Sequence, residues 1–475
     1  TQPHYYCFQC KKENSMKCHE VAVPYSQRRI DIKHFFDSAL SFLGTKQYPE
    51  LIKGVRGTSN REHIPEHLTK GILRAIHNLY INKDGTIRYD MTEMPLTHFT
   101  PREIGTPVQK LRVLGYDKDI HGQPLTHDDQ ILELRIQDII LPAASESLDE
   151  PSDHVFFRVA QFIDDLLEKL YGLPPYYKLK QASDLVGHYV IGLAPHISAG
   201  VVGRIIGFSK TQVILAHPYF HSIVRRDCDG DEMAVMLLVD TLLNFSRKYL
   251  PNHRGATQDT PLVLSSRIIP KEVDDMVYDM DVGWKYPLEL YEGALQYKKI
   301  TEVQIQQLKP RIGTDLQFTD FGYTHPVEDV NFGVRCSAYK SIPTMEDKVK
   351  GQLEIAEQLR AVDQDDVARL VIDRHFIRDI KGNLRKFSTQ QFRCVKCNEK
   401  YRRPPLYGSC LKCDGNIVFT VAEGSIIKYL EPSMSLIGKY NLPPYLIQSL
   451  QITKERIESI FGKDKDKQEG LGKWF

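Results

Sequence analysis

Residues Ser198-Ala-Gly-Val-Val-Gly-Arg-Ile-Ile-Gly207, then Gln212-Val-Ile-Leu-Ala216 and Arg225-Arg-Asp-Cys-Asp-Gly-Asp-Glu232, decide how this chain is read. The first two runs are short, apolar and punctuated by glycine. So is Val186-Gly-His-Tyr-Val-Ile-Gly192 before them. Such runs read as strands of a compact, strongly curved β-unit with glycines at its bends. The acidic octet closes this unit and is followed by Met233-Ala-Val-Met-Leu-Leu-Val239. A helix is expected to run on to Tyr249-Leu250, because Pro251 cannot continue one.

Within the octet, Asp227, Asp229 and Asp231 stand at alternate positions. On a straight strand the outer two would be roughly 13 Å apart. On a helix, residues two apart do not face each other. A tight turn can bring all three together, and Gly230 supplies the backbone freedom for it. Crowding carboxylates is costly: two unit charges at about 4 Å repel by roughly 4 kcal/mol at an effective dielectric of about 20. A hard divalent cation removes that cost, and Mg²⁺ favours carboxylate oxygens together with substrate phosphates. Such an ion activates a 3′-hydroxyl and steadies a leaving pyrophosphate. A calcium EF-hand does not fit. Counted from Asp227, glycine falls at the fourth position instead of the sixth, and the twelfth is Leu238 instead of Glu.

Outward from this unit the chain is ordinary globular material. It has 475 residues, enough for two to four domains, with 41% hydrophobic and 26% charged residues. No apolar run reaches the length of a membrane span. Thr1 to Cys18 is polar and aromatic, without the apolar core of a signal peptide, so a soluble intracellular protein with no membrane partner is expected. The net charge of +1 excludes a simple basic nucleic-acid binder, so any such surface is a local patch. Arg28-Arg29, Arg225-Arg226 and Lys400-Tyr401-Arg402-Arg403 are the basic clusters.

Residues 45–150 read as short β-like runs separated by turns. Leu79-Tyr80-Ile81 and Thr86-Ile87-Arg88-Tyr89 flank Lys83-Asp84-Gly85 and predict a hairpin. Val155, Val159, Phe162, Ile163, Leu166, Leu167 and Leu170 recur at helical spacing, which predicts a helix over 155–171 stopped by Gly172 and Pro174-Pro175.

Seven of the nine cysteines fall in two clusters. Cys394-x-x-Cys397 and Cys410-x-x-Cys413 can present four thiolates to structural Zn²⁺, with Zn–S near 2.3 Å and no open position for catalysis. Gly408 and Gly415 stand where knuckle turns are expected. Cys7, Cys10 and Cys18 make a weaker set, with Val21 where a fourth ligand is expected. His19 or His4 would have to complete it.

Asp-Cys-Asp-Gly-Asp-Glu-Met-Ala-Val resembles the catalytic loop of two-barrel polymerases. In multisubunit RNA polymerases the related loop reads Asp-Phe-Asp-Gly-Asp. The surrounding sequence selects among relatives. Met91-Thr-Glu-Met-Pro-Leu-Thr-His-Phe99, Gly187-His188 through Gly207, His217-Pro-Tyr-Phe-His221 and Leu242-Leu-Asn-Phe-Ser-Arg-Lys-Tyr-Leu-Pro251 resemble the large subunit of the archaeal D-family DNA polymerase over about residues 45–430.

That resemblance implies an α+β multidomain protein built on a double-psi β-barrel, with helical accessory regions and small zinc-ribbon modules. It implies DNA-directed DNA synthesis with Mg²⁺ held by Asp229 and Asp231. The family usually carries Asn where this chain has Asp227, a departure toward the RNA polymerase pattern that leaves Asp227's part as a ligand open. Arg204, Arg225, Arg226, Arg402 and Arg403 are candidates for DNA contacts. The implied partners are primer–template DNA and dNTPs, an N-terminal portion with the first barrel, a small subunit with 3′–5′ exonuclease activity, and a sliding clamp. Without the first barrel the chain is expected to be catalytically incomplete, as a split half or a processed product. The implied setting is the cytoplasm of an archaeal cell, at the nucleoid. Two other readings are an RNA polymerase-like enzyme, and a non-catalytic zinc-bearing module for nucleic-acid binding or assembly.

The tail Gln468-Glu-Gly-Leu471-Gly-Lys-Trp474-Phe475 puts Gln468, Leu471 and Trp474 on one side of a 3₁₀ turn. It resembles the peptide that DNA-handling enzymes insert into sliding clamps. The expected organisation is a degenerate zinc-ribbon-like module over 1–44, the catalytic barrel region over 45–260 and a mixed helical region over 261–385. A zinc ribbon over 386–425, a helical segment over 426–460 and a flexible tail over 461–475 complete it.

Overall fold

The computed structural model describes residues 31–46, 50–52, 66–82, 84–195, 197–245, 262–322, 329–338, 341–419, 421 and 423–461. The chain divides into two compact units, Thr1–Cys336 and Ser337–Phe475. The boundary falls inside the stretch 261–385. Among the described residues, no helix is long and apolar enough to cross a membrane.

The first unit contains α1 (Ile32–Leu43), α2 (Leu68–Ile76), β1 (Tyr89–Pro95), β2 (His98–Phe99), α3 (Val108–Val113), β3 (Leu132–Glu133), β4 (Asp138–Pro142) and α4 (Ser152–Asp165). A π turn, Leu166–Leu170, extends α4. Then follow β5 (Tyr189–Leu193), β6 (Ala199–Ser209), β7 (Val213–Ala216), α5 (Pro218–Ile223), β8 (Glu232–Leu237), α6 (Leu238–Asn244), β9 (Val263–Ser265) and α7 (Leu288–Leu295).

The curved β-unit is a closed ring. β1 lies between β7, in parallel, and β8, antiparallel. β8 continues to β5, β5 to β6, β6 to β4 in parallel, and β4 back to β7. β9 adds to the edge of β6. Ile139, Ile205 and Ile214 belong to one core cluster, while their neighbours Ile140, Ile206 and Leu215 belong to another. Both faces of these strands are therefore buried, which is why they read as continuous apolar runs without alternation. At the β4–β6 seam, Arg204 lies opposite Asp138. Its guanidinium makes two bonds of 2.8 Å to that carboxylate.

The predicted helix over 155–171 is present as α4 and its π turn. Phe156, Val159, Phe162, Ile163 and Leu166 are buried against the barrel core. The helix expected after β8 is α6, described to Asn244; its predicted end at Tyr249-Leu250 lies outside the described residues.

The predicted hairpin over 79–89 does not form. Asn82 and Thr86 do close a turn, with Asn82 N–H donating to the Thr86 carbonyl at 2.8 Å. The donors a ladder would need go to side chains instead. Thr86 N–H donates to Asp84 Oδ1 at 3.0 Å, and Ile87 N–H to Asp240 Oδ2 at 2.7 Å. Tyr89 then enters β1, whose partners come from far along the chain. The 45–150 stretch also carries two helices, α2 and α3, where β-like runs are expected.

Two glycines seat α5. A Cβ on Gly192 would come 3.0 Å from the Phe220 ring, and one on Gly203 would come 3.1 Å from it. Phe220 is fully buried, which stabilises the unit by roughly 2–3 kcal/mol. Bare backbone on β5 and β6 is thus the surface that α5 lies on.

The second unit contains α8 (Met345–Gln358), α9 (Gln364–Leu370), α10 (Ile377–Thr389), β10 (Phe392–Cys394), β11 (Lys400–Tyr401), β12 (Ile417–Phe419), α11 (Glu423–Ile427), α12 (Leu430–Lys439) and α13 (Pro444–Phe461). The three strands form a small sheet with β10 in the centre.

Gly192→Val should cost about 1–3 kcal/mol by overpacking against Phe220, lowering the thermal midpoint. Gly382, inside α10, has nothing within 4 Å of an added Cβ. Gly382→Ala should stabilise by roughly 0.5–1 kcal/mol, since alanine favours a helix interior over glycine. Thermal unfolding of both variants checks the opposite signs.

Candidate active site

The acidic octet is the connection from α5 to β8. Three of its residues take left-handed backbone: Arg225 at φ 63°, Cys228 at 60° and Gly230 at 99°. Only the glycine adopts this freely. The other two carry strain, which persists where surrounding structure over-determines it. Asp227 and Asp229 are exposed and Asp231 is half-exposed. Burial pushes the Cys228 thiol up to about 12, and the nearby Glu93 carboxylate adds to this against a bond from Ser222. It is therefore a protonated spacer and not a nucleophile.

What holds the turn is a residue that sequence reading passed over. Glu93 lies on β1 with its side chain fully buried. Its backbone N–H donates to the Asp231 carbonyl at 2.9 Å. Its Oε1 accepts the Gly230 N–H at 3.2 Å. Its Oε2 lies 2.8 Å from Nδ1 of the equally buried His221. That approach is off the line of an ideal hydrogen bond. His221 Nε2 lies 3.0 Å from the Met94 carbonyl, an acceptor, so this nitrogen is the donor. Burial alone would raise the Glu93 carboxyl. The bond and charge of His221 and the amides of Gly230 and Asp231 outweigh it and hold Glu93 below its ordinary range. The sequence signal was available: one acid in the otherwise apolar and neutral run Met91-Thr-Glu-Met-Pro, and a histidine on the short helix before the octet.

The candidate arginines separate. Arg225 is largely exposed and pairs loosely with Asp274 at 3.2 Å. Arg226 turns back to Asp231 Oδ2 at 3.3 Å. Arg204 is committed to Asp138 at the barrel seam and offers that fork to its own strand neighbour. Arg402 and Arg403 are exposed, but they belong to the second unit.

The second unit brings Cys394, Cys397, Cys410 and Cys413 together. Their sulfurs all lie within 4.8 Å of one another, the one such set of metal-grade ligands among the described residues. Cys394–Cys413 and Cys397–Cys410 sulfur distances are 3.5 and 3.4 Å. Tetrahedral ligation at about 2.3 Å needs sulfurs about 3.8 Å apart, while a disulfide needs about 2.05 Å. The four thiols therefore fit one tetrahedral ion. The knuckle turns are made by Asn398 (φ 61°) and Asp414 (φ 54°), each following a second cysteine, and not by Gly408 and Gly415. Gly415 serves closeness: a Cβ there would lie 2.8 Å from the Cys394 sulfur. By contrast, the Asp227, Asp229 and Asp231 carboxylates are not drawn to that spacing. Cys7, Cys10, Cys18, Gln468, Leu471, Trp474 and Phe475 lie outside the described residues.

Comparison with known proteins gives the class first. Residues 44–348 match the family described as DNA polymerase II large subunit DP2, catalytic domain. That stretch contains the whole barrel and the acidic loop, so the barrel is of the polymerase catalytic-domain class. The chain is 49% identical over 458 residues to the DNA polymerase II large subunit of Methanocella arvoryzae, covering 96% of this chain and 40% of that protein. It is 48% identical over 448 residues to that of Pyrococcus furiosus, covering 94% of this chain and 35% of the relative. To that of Nanoarchaeum equitans it is 49% identical over 457 residues, covering 93% and 37%. The chain belongs to the DNA polymerase II large subunit family. It spans about 40% of the length of the Methanocella relative.

Elemental analysis of the purified chain should find zinc that Cys397→Ser loses by one equivalent. Gly415→Ala should weaken the same site, read as faster release to a competing chelator. Unchanged zinc in Cys397→Ser would contradict a four-thiolate site.

Proposed function

We propose that this chain supplies the aspartate-bearing half of a DNA-directed DNA polymerase active site, with the closed ring as a double-psi β-barrel. The observation that carries this is the acidic loop itself. It projects exposed carboxylates from a strained turn on a rigid barrel, within the stretch matching the polymerase catalytic domain. The parallel β1–β7 and β4–β6 pairs in a six-strand ring support the double-psi reading.

In this proposal Asp229 and Asp231 hold Mg²⁺, with Asp227 as the outer member of the set. Hard carboxylate oxygens suit that ion. When bound, Mg²⁺ supplies the charge that activates the primer 3′-hydroxyl and steadies the leaving pyrophosphate. Arg226 screens Asp231 from its neighbours through the 3.3 Å contact. Arg225, exposed beside the loop, meets backbone phosphate, as do Arg402 and Arg403 in the second unit. The four cysteines hold a structural Zn²⁺.

The proposed partners are primer–template DNA, dNTPs, the large-subunit portion bearing a first barrel, a small subunit with 3′–5′ exonuclease activity, and a sliding clamp gripping Gln468, Leu471, Trp474 and Phe475. The proposed setting is replication at the nucleoid, in the cytoplasm of an archaeal cell.

In the reconstituted large subunit with its small subunit, Asp229→Asn and Asp231→Asn should each lower dNTP incorporation by on the order of a hundred- to a thousandfold, as loss of a charge-stabilising group does. Primer–template binding should survive. A retained rate would overturn the catalytic assignment, and a preference for ribonucleotides would favour an RNA polymerase-like enzyme. Removing residues 468–475 should abolish capture by immobilised clamp; capture at the original level would sink the tail reading.

A further inference from the structure

We infer that Glu93, held by His221, is a positioning residue for the metal-binding aspartates: it fixes the Gly230–Asp231 peptide from both sides. The inference rests on the proposed function of the loop and adds the means by which the loop keeps its shape.

Glu93's contacts with the loop gather around one peptide, where the amides of Gly230 and Asp231 both act on its carboxylate. Its backbone N–H takes the Asp231 carbonyl at 2.9 Å, which carries the β1–β8 pairing one step beyond the Thr92–Glu232 register. Its Oε1 takes the Gly230 N–H at 3.2 Å. One strand residue thus grips the donor of 230 and the acceptor of 231. The carboxylate is kept from rotating because its other oxygen faces His221 Nδ1 at 2.8 Å, and His221 is itself anchored on the Met94 carbonyl at 3.0 Å. His221 rides on α5, which Phe220 seats on Gly192 and Gly203. A continuous set of contacts therefore runs from the barrel wall to the turn.

A buried acid–base pair is a poor way to gain stability. Well-packed apolar residues do as well or better, while the charges cost several kcal/mol of desolvation each. Here the pair sits under a loop of exposed carboxylates whose φ angles at Arg225 and Cys228 are strained. Fixed geometry at a metal site comes from groups behind the ligands, and losing one typically weakens metal affinity about 10- to 100-fold. Glu103 offers the comparison. It is equally an acid under the surface, 5% exposed, and its carboxylate accepts the Thr100 and Val330 amides at 2.6 and 2.8 Å, away from the acidic loop.

The test uses the full chain, zinc-loaded, with Mn²⁺ as the probe. Mn²⁺ binding is followed by electron paramagnetic resonance, and amide exchange over 225–232 by mass spectrometry. Asp229→Asn should remove a Mn²⁺ site. Glu93→Gln and His221→Gln should weaken that site about tenfold or more and speed exchange at Gly230. Glu103→Gln should lower the thermal midpoint yet leave the Mn²⁺ affinity unchanged. If Asp229→Asn removes the site while Glu93→Gln and His221→Gln leave its affinity unchanged, the positioning role is overturned and the loop reading stands. If Asp229→Asn leaves Mn²⁺ binding intact, the loop reading fails and this inference fails with it. Should neither variant fold, the unaltered chain still decides: a Gly230 amide that exchanges as fast as those of Asp227 and Asp229 overturns the clamp.

Discussion

One buried carboxylate sets the shape of the acidic turn. Glu93 holds the Gly230 amide with a side-chain oxygen and the Asp231 carbonyl with its own backbone. Without such a partner the turn would rest on a strained backbone alone, with Arg225 and Cys228 in a region that side chains avoid. The Glu93 carboxylate and the His221 ring behind it are fully buried, while the turn they hold is exposed. In a low-dielectric site, charge-assisted bonds are stronger and more directional than at a surface. The burial of that carboxylate comes from the barrel, since β1 pairs with β8 and α5 covers Glu93 with His221.

The barrel's packing explains how a short helix delivers that histidine. α5 has only six residues, too few to be stable alone. It is fixed by tertiary contact: Phe220 lies on two strands that lack side chains where it lands, and His217 caps the first turn by accepting the Tyr219 N–H at 3.2 Å. The second unit solves a different problem. Its small sheet has little apolar core of its own, and four converging thiols take that place, as metal does in modules too small to bury enough surface.

Much of this was legible in the sequence. The acidic turn, the curved β-unit, the helix over 155–171 and the four-cysteine set follow from local pattern, because each is governed by residues close in the chain. The rest is non-local. The Asp-Gly turn at 84–85 predicted a hairpin, yet Asp84 and the distant Asp240 took the backbone donors that pairing needed. Arg204, a candidate for DNA, is bound by a carboxylate on a neighbouring strand that no spacing rule reveals. Glu93 and His221 sat inside motifs that marked the family, but their meeting depends on ring closure. The glycines of the zinc module suggest turns in the sequence, whereas the turns fall on Asn398 and Asp414 and Gly415 makes room for sulfur.

These features support an active-site half in which the chain's part is to hold two carboxylates still. The most direct measurement is anomalous diffraction from crystals of the chain soaked in Mn²⁺. The account predicts a peak at the Asp229 and Asp231 carboxylates, with Gly230 still bound to Glu93. Ordered electron density for the loop without any peak at those two residues would contradict it.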